Sequence, residues 1–378
     1  MLVVMPRIAR TIYAWSPAKS IAKIRAKHEQ NGSRLDEVSA QTCFLEDCFA
    51  AQHSLKMIPM VDDSIARQSS HDLPGAGETV SILGVPLSFG QSMAGVDLGP
   101  GAIRVAGLAR RIAKLGYEVE DLGDLLIERP HSLPGFDEKL KYLSDIYGAC
   151  ERLASEIEQI ADAGKLPITI GGDHSIAIGS LAGIVKSFRK RDQRLGLVYF
   201  DAHADMNTPA TSPSGNIHGM PLAVLLGYGA PELVNVAGFA PKFDPKLCAH
   251  VGARDVDPGE RELVRHLGLR FFTMREIDER GLAACMDEAI EIAGQGSAGY
   301  AVTFDVDALD PGDAPGSGTL VRGGLSYREA HLAMEKIAED GRMRSLEVVE
   351  INTALDVNNR TAELGVELIL SALGKTIL

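Results

Sequence analysis

From residue 79 onward this 378-residue chain predicts an α/β fold of three layers: a doubly wound, mostly parallel, eight-stranded sheet with helices on both faces. Three observations predict it. Short runs rich in apolar and β-branched residues alternate with helical patterns. Those runs are apolar almost throughout, as parallel strands covered on both sides are. Clusters of ionisable residues follow directly behind several of them, which is where an open doubly wound sheet places its ligand.

The first strand is "TVSILGVP" (79–86), followed by a glycine-rich turn, "SFGQSMAGVDLGPGAI", in which Pro100 suits the first turn of a helix. The second is "YEVEDLGDL" (117–125). Leu143, Ile146, Cys150, Leu153, Ile157 and Ile160 then recur at steps of three and four, one apolar stripe of a helix. The remaining strands are "LPITI" (166–170), "LGLVYFD" (195–201), "LCAHVGA" (247–253), "LRFFTM" (269–274), "YAVTFDVD" (300–307) and "SLEVVEI" (345–351), with helical segments between them. Polar clusters close four of the eight: "GGDHS", "DAHAD", "DVDALD" and "EIN". All four point to one crevice.

"DAHAD" sets the chemistry. Alternate side chains of an extended strand share a face at steps of about 6.7 Å, so Asp201, His203 and Asp205 begin together, and a cation is their natural partner. "GGDHS" adds His174, and "DVDALD" adds Asp305 and Asp307. Buried without counter-charge, such carboxylates take up protons or require metal. Oxygen-rich ligation with two imidazoles suits Mn2+ and also admits Co2+ or Fe2+. Asp201 and Asp205 lie about 13 Å apart along a straight strand, so they reach one ion only if the chain curls after His203. Two metals about 3.5–4 Å apart activate water near neutral pH and polarise an electrophile, which predicts hydrolysis. No G-x-S-x-G elbow supports a serine nucleophile, and "GVDLGPGAI" has neither dinucleotide spacing nor a P-loop lysine.

"GGDHS", "DAHAD" and "TFDVDALDP", in this order, resemble the metal motifs of the ureohydrolase family, and the likeness covers about residues 79–378. The resemblance implies two Mn2+ per subunit, bridged by Asp201 and Asp305, with His174 and Asp205 completing one coordination sphere and His203 and Asp307 the other. "NTPATSPSGNIHGMP" (207–221) is similar to the loop by which arginine-cleaving members read the α-carboxylate and α-amino groups. It implies Asn207, Ser212, Ser214 and Asn216 as readers, Ser212 standing where threonine is common. In "GARDVDPGE", Asp257 is implied to take the α-amino group, with Asp255 and Glu260 in support. His218 is the implied proton shuttle, its ordinary pKa of about 6.5 suited to exchange with a leaving amine. Glu350 in "VVEIN" is implied to pair with the guanidinium, Thr319 lies near the same group, and Asp205 orients the attacking hydroxide. Thr353 replaces the proline usual after "EIN", which bears on loop rigidity.

The implied reaction is hydrolysis of L-arginine to L-ornithine and urea by a homo-oligomer, a trimer or hexamer. Agmatine or another guanidino acid is the alternative substrate, and a non-catalytic arginine-binding protein the alternative class. The formal charge of −13, without a basic stripe, excludes a nucleic-acid partner. Five scattered cysteines read as reduced thiols and place the protein in the cytoplasm. The first 28 residues carry six Lys or Arg and no acid before Glu29, and organelle targeting is the other reading of that pattern. No segment is expected to span a membrane. The expected organisation is an N-terminal extension at 1–77, weakly ordered, a targeting segment or sequence upstream of a later start at Met57 or Met60, then one ureohydrolase-like domain at 78–378.

Overall fold

A computed structural model of the protein describes residues 78–128, 130 and 138–376. The extension expected at 1–77, with Cys43 and Cys48, lies outside the described residues. Within them, every predicted apolar run forms a strand: β1 (Thr79–Val85), β2 (Glu118–Asp124), β3 (Leu166–Gly171), β4 (Gly196–Phe200), β5 (Cys248–Val251), β6 (Arg270–Phe272), β7 (Tyr300–Asp305) and β8 (Met343–Val349). They make one eight-stranded sheet in the order β2-β1-β3-β8-β7-β4-β5-β6. Every pairing is parallel, so the sheet expected to be mostly parallel is wholly so.

The connections supply α1 (Gly99–Val105), α2 (Leu108–Ala113), α3 (Leu143–Asp162), α4 (Ala177–Arg189), α5 (Pro258–Leu267), α6 (Met274–Arg280), α7 (Leu282–Gly294), α8 (Tyr327–Asp340) and α9 (Arg360–Ala372). Pro100 sits in the first turn of α1, where its missing N–H costs nothing. The stripe Ile146, Cys150, Leu153, Ile157 and Ile160 is the buried side of α3. Ser326 and Glu329 close a capping box at the start of α8, and left-handed Gly341 ends it.

Alternation along each strand divides the core into two layers. Val198 and Phe200 of β4, with Val302 and Phe304 of β7, pack under Met286, Ile290, Met334, Ile337 and Leu368 from α7, α8 and α9. On the other side Leu197 and Tyr199 join Leu83 and Val85 beneath Ile146, Leu153, Ile157, Leu181 and Ile184 from α3 and α4. β2, at the sheet's edge, is mostly exposed and carries Glu118, Glu120, Asp121 and Asp124, a charged edge unsuited to pairing with another chain. No described helix is long and apolar enough to cross a membrane. Cys150, Cys248 and Cys285 are buried free thiols.

The strand order does the positioning. The strands that end in "GGDHS", "EIN", "DVDALD" and "DAHAD" are β3, β8, β7 and β4, and these are four consecutive neighbours in the middle of the sheet. Parallel pairing brings all four carboxyl ends to one side. Gly172 ties the ends of β3, β8 and β1 together. Its N–H donates to Val85 O at 2.9 Å, its carbonyl accepts from Glu350 N at 2.8 Å, and a Cβ there would lie 2.0 Å from Leu87 O. Backbone on the opposite side cannot give way to a methyl group. Gly172→Ala is therefore expected to destabilise the fold by about 3 kcal/mol, read as a lower urea midpoint; an unchanged midpoint would show that this crossing relaxes freely.

Candidate active site

The motif residues sit where they do because three strands end in the same local device. Asp201 Oδ1 accepts from His203 N at 2.7 Å, Asp305 Oδ1 from Asp307 N at 2.8 Å, and Asp173 Oδ1 from Ser175 N at 3.0 Å. An aspartate that accepts the amide two residues on turns the chain sharply, which is why β4 and β7 stop sooner than their apolar runs predict. The turn also converts alternate positions into neighbours around one point. The curl required after His203 is present: Asp205 is left-handed, at φ 52°.

His174 Nδ1 faces three carboxylate oxygens: Asp201 Oδ2 at 3.1 Å, Asp205 Oδ2 at 3.1 Å and Asp305 Oδ2 at 3.2 Å. His203 Nδ1 lies 3.0 Å from Asp307 Oδ2 and 3.4 Å from Asp201 Oδ1. Asp201 thus belongs to two groups of potential ligands, His174–Asp201–Asp305 and Asp201–His203–Asp307. All of these side chains are buried except that of His203, which is partly exposed.

The electrostatics show what is missing from a protein-only account. Burial, then the charges of Asp205 and Asp307, pushes Asp201 up to about 7. Burial and the charges of Asp307 and Asp201 hold Asp305 well above the usual carboxylate range. Burial alone would lower His203, yet Asp307 and Asp201 raise it to about 12, and His174 is raised by its three aspartates against the same opposition. Asp307 and Asp205 go down despite burial, because His203 and His174 face them. A single Nδ1–H serves one oxygen, so His174 satisfies only one of its three neighbours. Asp201 Oδ2, fully enclosed, has no hydrogen-bond partner among the described residues. Two divalent cations fit this donor set. They would take the place of the protons, engage the unpartnered oxygen and use both imidazoles as neutral ligands.

Behind these candidate ligands lies a layer that, Thr319 apart, sequence reading missed. His174 Nε2 is 2.9 Å from Thr303 Oγ1, which turns Nδ1 toward the aspartates. Thr319 Oγ1 donates to Asp307 Oδ2 at 2.9 Å, so its first partner belongs to the second group of potential ligands. Arg254 donates to the carbonyls of Asp307, Ala308, Leu309 and Val321, clamping the loop that carries Asp307 to the one that carries Thr319. Gln91 Nε2 donates to Glu350 Oε2 at 2.8 Å.

Glu350, which the resemblance sets against the guanidinium, is fully enclosed; its Oε1 accepts from His174 N at 3.0 Å and lies 3.0 Å from His218 Nδ1. It stands behind His218, away from the pocket wall. Its backbone is left-handed at φ 66°, and for a non-glycine residue that costs about 1–3 kcal/mol, a strain typical of functional positions. At His218 burial would lower the pKa, but Glu350, with Asp205 and Asp173, outweighs burial and raises it to about 9. Rigidity in this loop comes from Asn352, which donates to Ala94 O and accepts from Ala354 N, each at 3.0 Å, although Thr353 stands in the usual proline position.

A cavity of 240 Å³ opens in front of these groups. His174, His203, Asp205, Asp305, Asp307 and Thr319 line it together with His218, Asn207, Ser212, Ser214, Asn216, Asp255, Asp257 and Glu260. Asn207 Nδ2 donates to Asp257 Oδ2 at 2.9 Å and is itself fixed by Thr211 Oγ1 at 2.9 Å. Glu260 accepts from Asp257 N at 2.7 Å and Met206 N at 3.0 Å, so both of its oxygens cap backbone rather than face a ligand. Ser212 and Ser214 accept from Gly215 N and Asn216 N, which shapes the loop but leaves each hydroxyl hydrogen free to donate. Asn216 Oδ1 accepts from Lys141 Nζ at 3.1 Å, a cation no pattern in the sequence marked.

By fold and donor set this is an α/β protein with a buried metal-binding centre at the carboxyl ends of a parallel sheet. Comparison with known proteins narrows the class. The model of the Arginase family matches residues 78–374. The chain is 46% identical to the arginase of Brevibacillus brevis over 301 residues, which covers 80% of this chain and 99% of that protein. The solved arginase of Bacillus caldovelox superposes with a TM-score of 0.77 at 45% identity, covering 80% of this chain and all of that one. An Entamoeba histolytica arginase solved with L-ornithine gives a TM-score of 0.73 at 31% identity, over 79% of this chain and 99% of its own. The chain belongs to the arginase family and is a hydrolase of that kind.

The His218–Glu350 pair makes a pH-dependent contribution. A histidine whose folded pKa is raised stabilises fully below its ordinary value of about 6.5 and loses that contribution as pH rises, here through about 9. Glu350→Gln should move the NMR titration midpoint of His218 downward, toward the ordinary histidine range. A midpoint that stayed at about 9 would assign the shift to another carboxylate.

Proposed function

We propose that the protein hydrolyses L-arginine to L-ornithine and urea, using two Mn2+ held by His174, Asp201, Asp205, Asp305, His203 and Asp307. The observation that carries this reading is the lining of one cavity, which brings the donors for a metal pair together with an amide, hydroxyls and a carboxylate of the kinds that an amino acid's α-carboxylate and α-ammonium need. The relatives named arginase, and the one solved with L-ornithine, agree with it.

Bound metals supply a water of lowered pKa and polarise the electrophile. The chain's own residues do the rest. Asn207, Ser212, Ser214 and Asn216 hold the α-carboxylate, while Asp257 takes the α-ammonium, with Asp255 beside it; Glu260 keeps Asp257 in place from behind. Anchored there, the extended substrate lays its guanidinium by Thr319 and Asp205. Asp205 accepts a hydrogen bond from the attacking water and so aims its oxygen at the guanidinium carbon. As the new C–O bond forms and the bond to the side-chain nitrogen breaks, that nitrogen takes the proton of His218; one of the water's two protons restores His218 and the other completes the ammonium of ornithine, leaving neutral urea. Glu350 keeps His218 protonated and oriented for that transfer. A trimer or hexamer, and a cytoplasmic site of action, complete the proposal.

Urea release from L-arginine and from agmatine, with and without added Mn2+, tests the reading. Mn2+-dependent urea from L-arginine is expected, with little from agmatine, which lacks the α-carboxylate. Urea chiefly from agmatine would reassign the substrate, and none from either would remove the reaction. Asn207→Ala should raise KM for L-arginine about tenfold, the worth of one hydrogen bond to a charged group, with a smaller effect on kcat.

A further inference from the structure

Tyr199 lies in a strand that reads as core, "LGLVYF", and nothing in the reaction above uses it. Its ring is 1% exposed, but its hydroxyl does not end among apolar neighbours. It donates to Asp205 Oδ2 at 2.7 Å and lies 3.3 Å from His174 Nδ1, inside the cluster of ionisable groups. A phenylalanine would fill the same ring slot, so packing alone does not account for the oxygen.

The ring is held in place from two sides. It stacks on His174 at 4.7 Å and 20°, and on His250 at 5.4 Å and 22°. His250 in turn lies flat on Phe271 at 4.2 Å and 3°. Burial pushes the pKa of His250 down to about 3, so it serves as a neutral, flat wall. Register explains the arrangement. On the three neighbouring strands β5, β4 and β7, His250, Tyr199 and Thr303 stand side by side. Two of them present a hydroxyl to the same centre: Thr303 to His174 at 2.9 Å, and Tyr199 to Asp205.

We infer that Tyr199 is a positioning residue of the metal centre, its stacked ring aiming an O–H at Asp205 so that this carboxylate is fixed before a cation arrives. The inference rests on the reading of the cluster as a metal site. A carboxylate has about four lone-pair sites, so a phenol on one leaves the others for a metal. Asp205 gains most from a fixed neighbour, because it hangs on the left-handed curl beyond β4 rather than on the strand itself. Hydrogen bonds to ligating side chains commonly set metal affinity in this way.

The experiment is titration of the metal-free protein with Mn2+, followed by the manganese EPR signal, on the unmodified chain and on Tyr199→Phe. The substitution removes one oxygen and keeps the ring in its stack. Mn2+ affinity is expected to fall about ten- to a hundredfold. At saturating Mn2+, kcat should fall while KM for L-arginine stays unchanged. Affinity and kcat within twofold of the unmodified protein would overturn the inference. So would a matching rise in KM with an altered circular dichroism spectrum, which would show general loosening. Failure of the unmodified protein to take up Mn2+ would instead overturn the metal reading beneath it.

Discussion

Four carboxylates and two imidazoles crowd together at the carboxyl ends of the sheet, each histidine facing two or three of the acids, and two imidazolium charges cannot balance four carboxylates. That constraint governs the rest of the structure. Protonation is the only relief the side chains have by themselves, and it shows in the directions of their pKa values: Asp201 and Asp305 up, both histidines up, Asp205 and Asp307 down. An arrangement that must carry protons whenever it lacks cations is a site kept for cations.

The sheet makes such crowding possible. Parallel strands deliver their carboxyl ends to one side, and the order β3-β8-β7-β4 makes four motif-bearing ends contiguous although they are far apart in sequence. The Asx turns at Asp201 and Asp305 then wrap each short motif around a point instead of along a line. Helix packing on both faces holds the strand ends rigid enough that left-handed strain at Asp205 and Glu350 persists.

What the sequence made legible was local. Asp201, His203 and Asp205 stand at alternate positions behind an apolar run, and so do Asp305 and Asp307; spacing and context announce them before any fold is known. Most of the strands were legible because each is a nearly continuous apolar run; β2, with Glu118, Glu120, Asp121 and Asp124, is the exception. What was not legible depends on contacts across the chain. Gln91 meets Glu350 across 259 positions, and His174 meets Thr303 across 129, so no spacing rule finds either pair. Glu350 was recognised as a site residue, but its orientation toward His218 follows from the left-handed turn and the Gln91 contact. Tyr199 did leave a signal. It stands two residues before Asp201 and so shares its face, but an aromatic in a β-strand reads as core.

The most direct test of the central claim is proton release when Mn2+ enters the metal-free protein at pH 7, measured from the dependence of binding heat on buffer ionisation. The facing aspartates raise the pKa of His174 and His203, and a histidine that ligates a metal must be neutral, so about two or more protons per chain should appear in solution. Binding without proton release, or no binding, would contradict the claim that this cluster holds protons in place of cations.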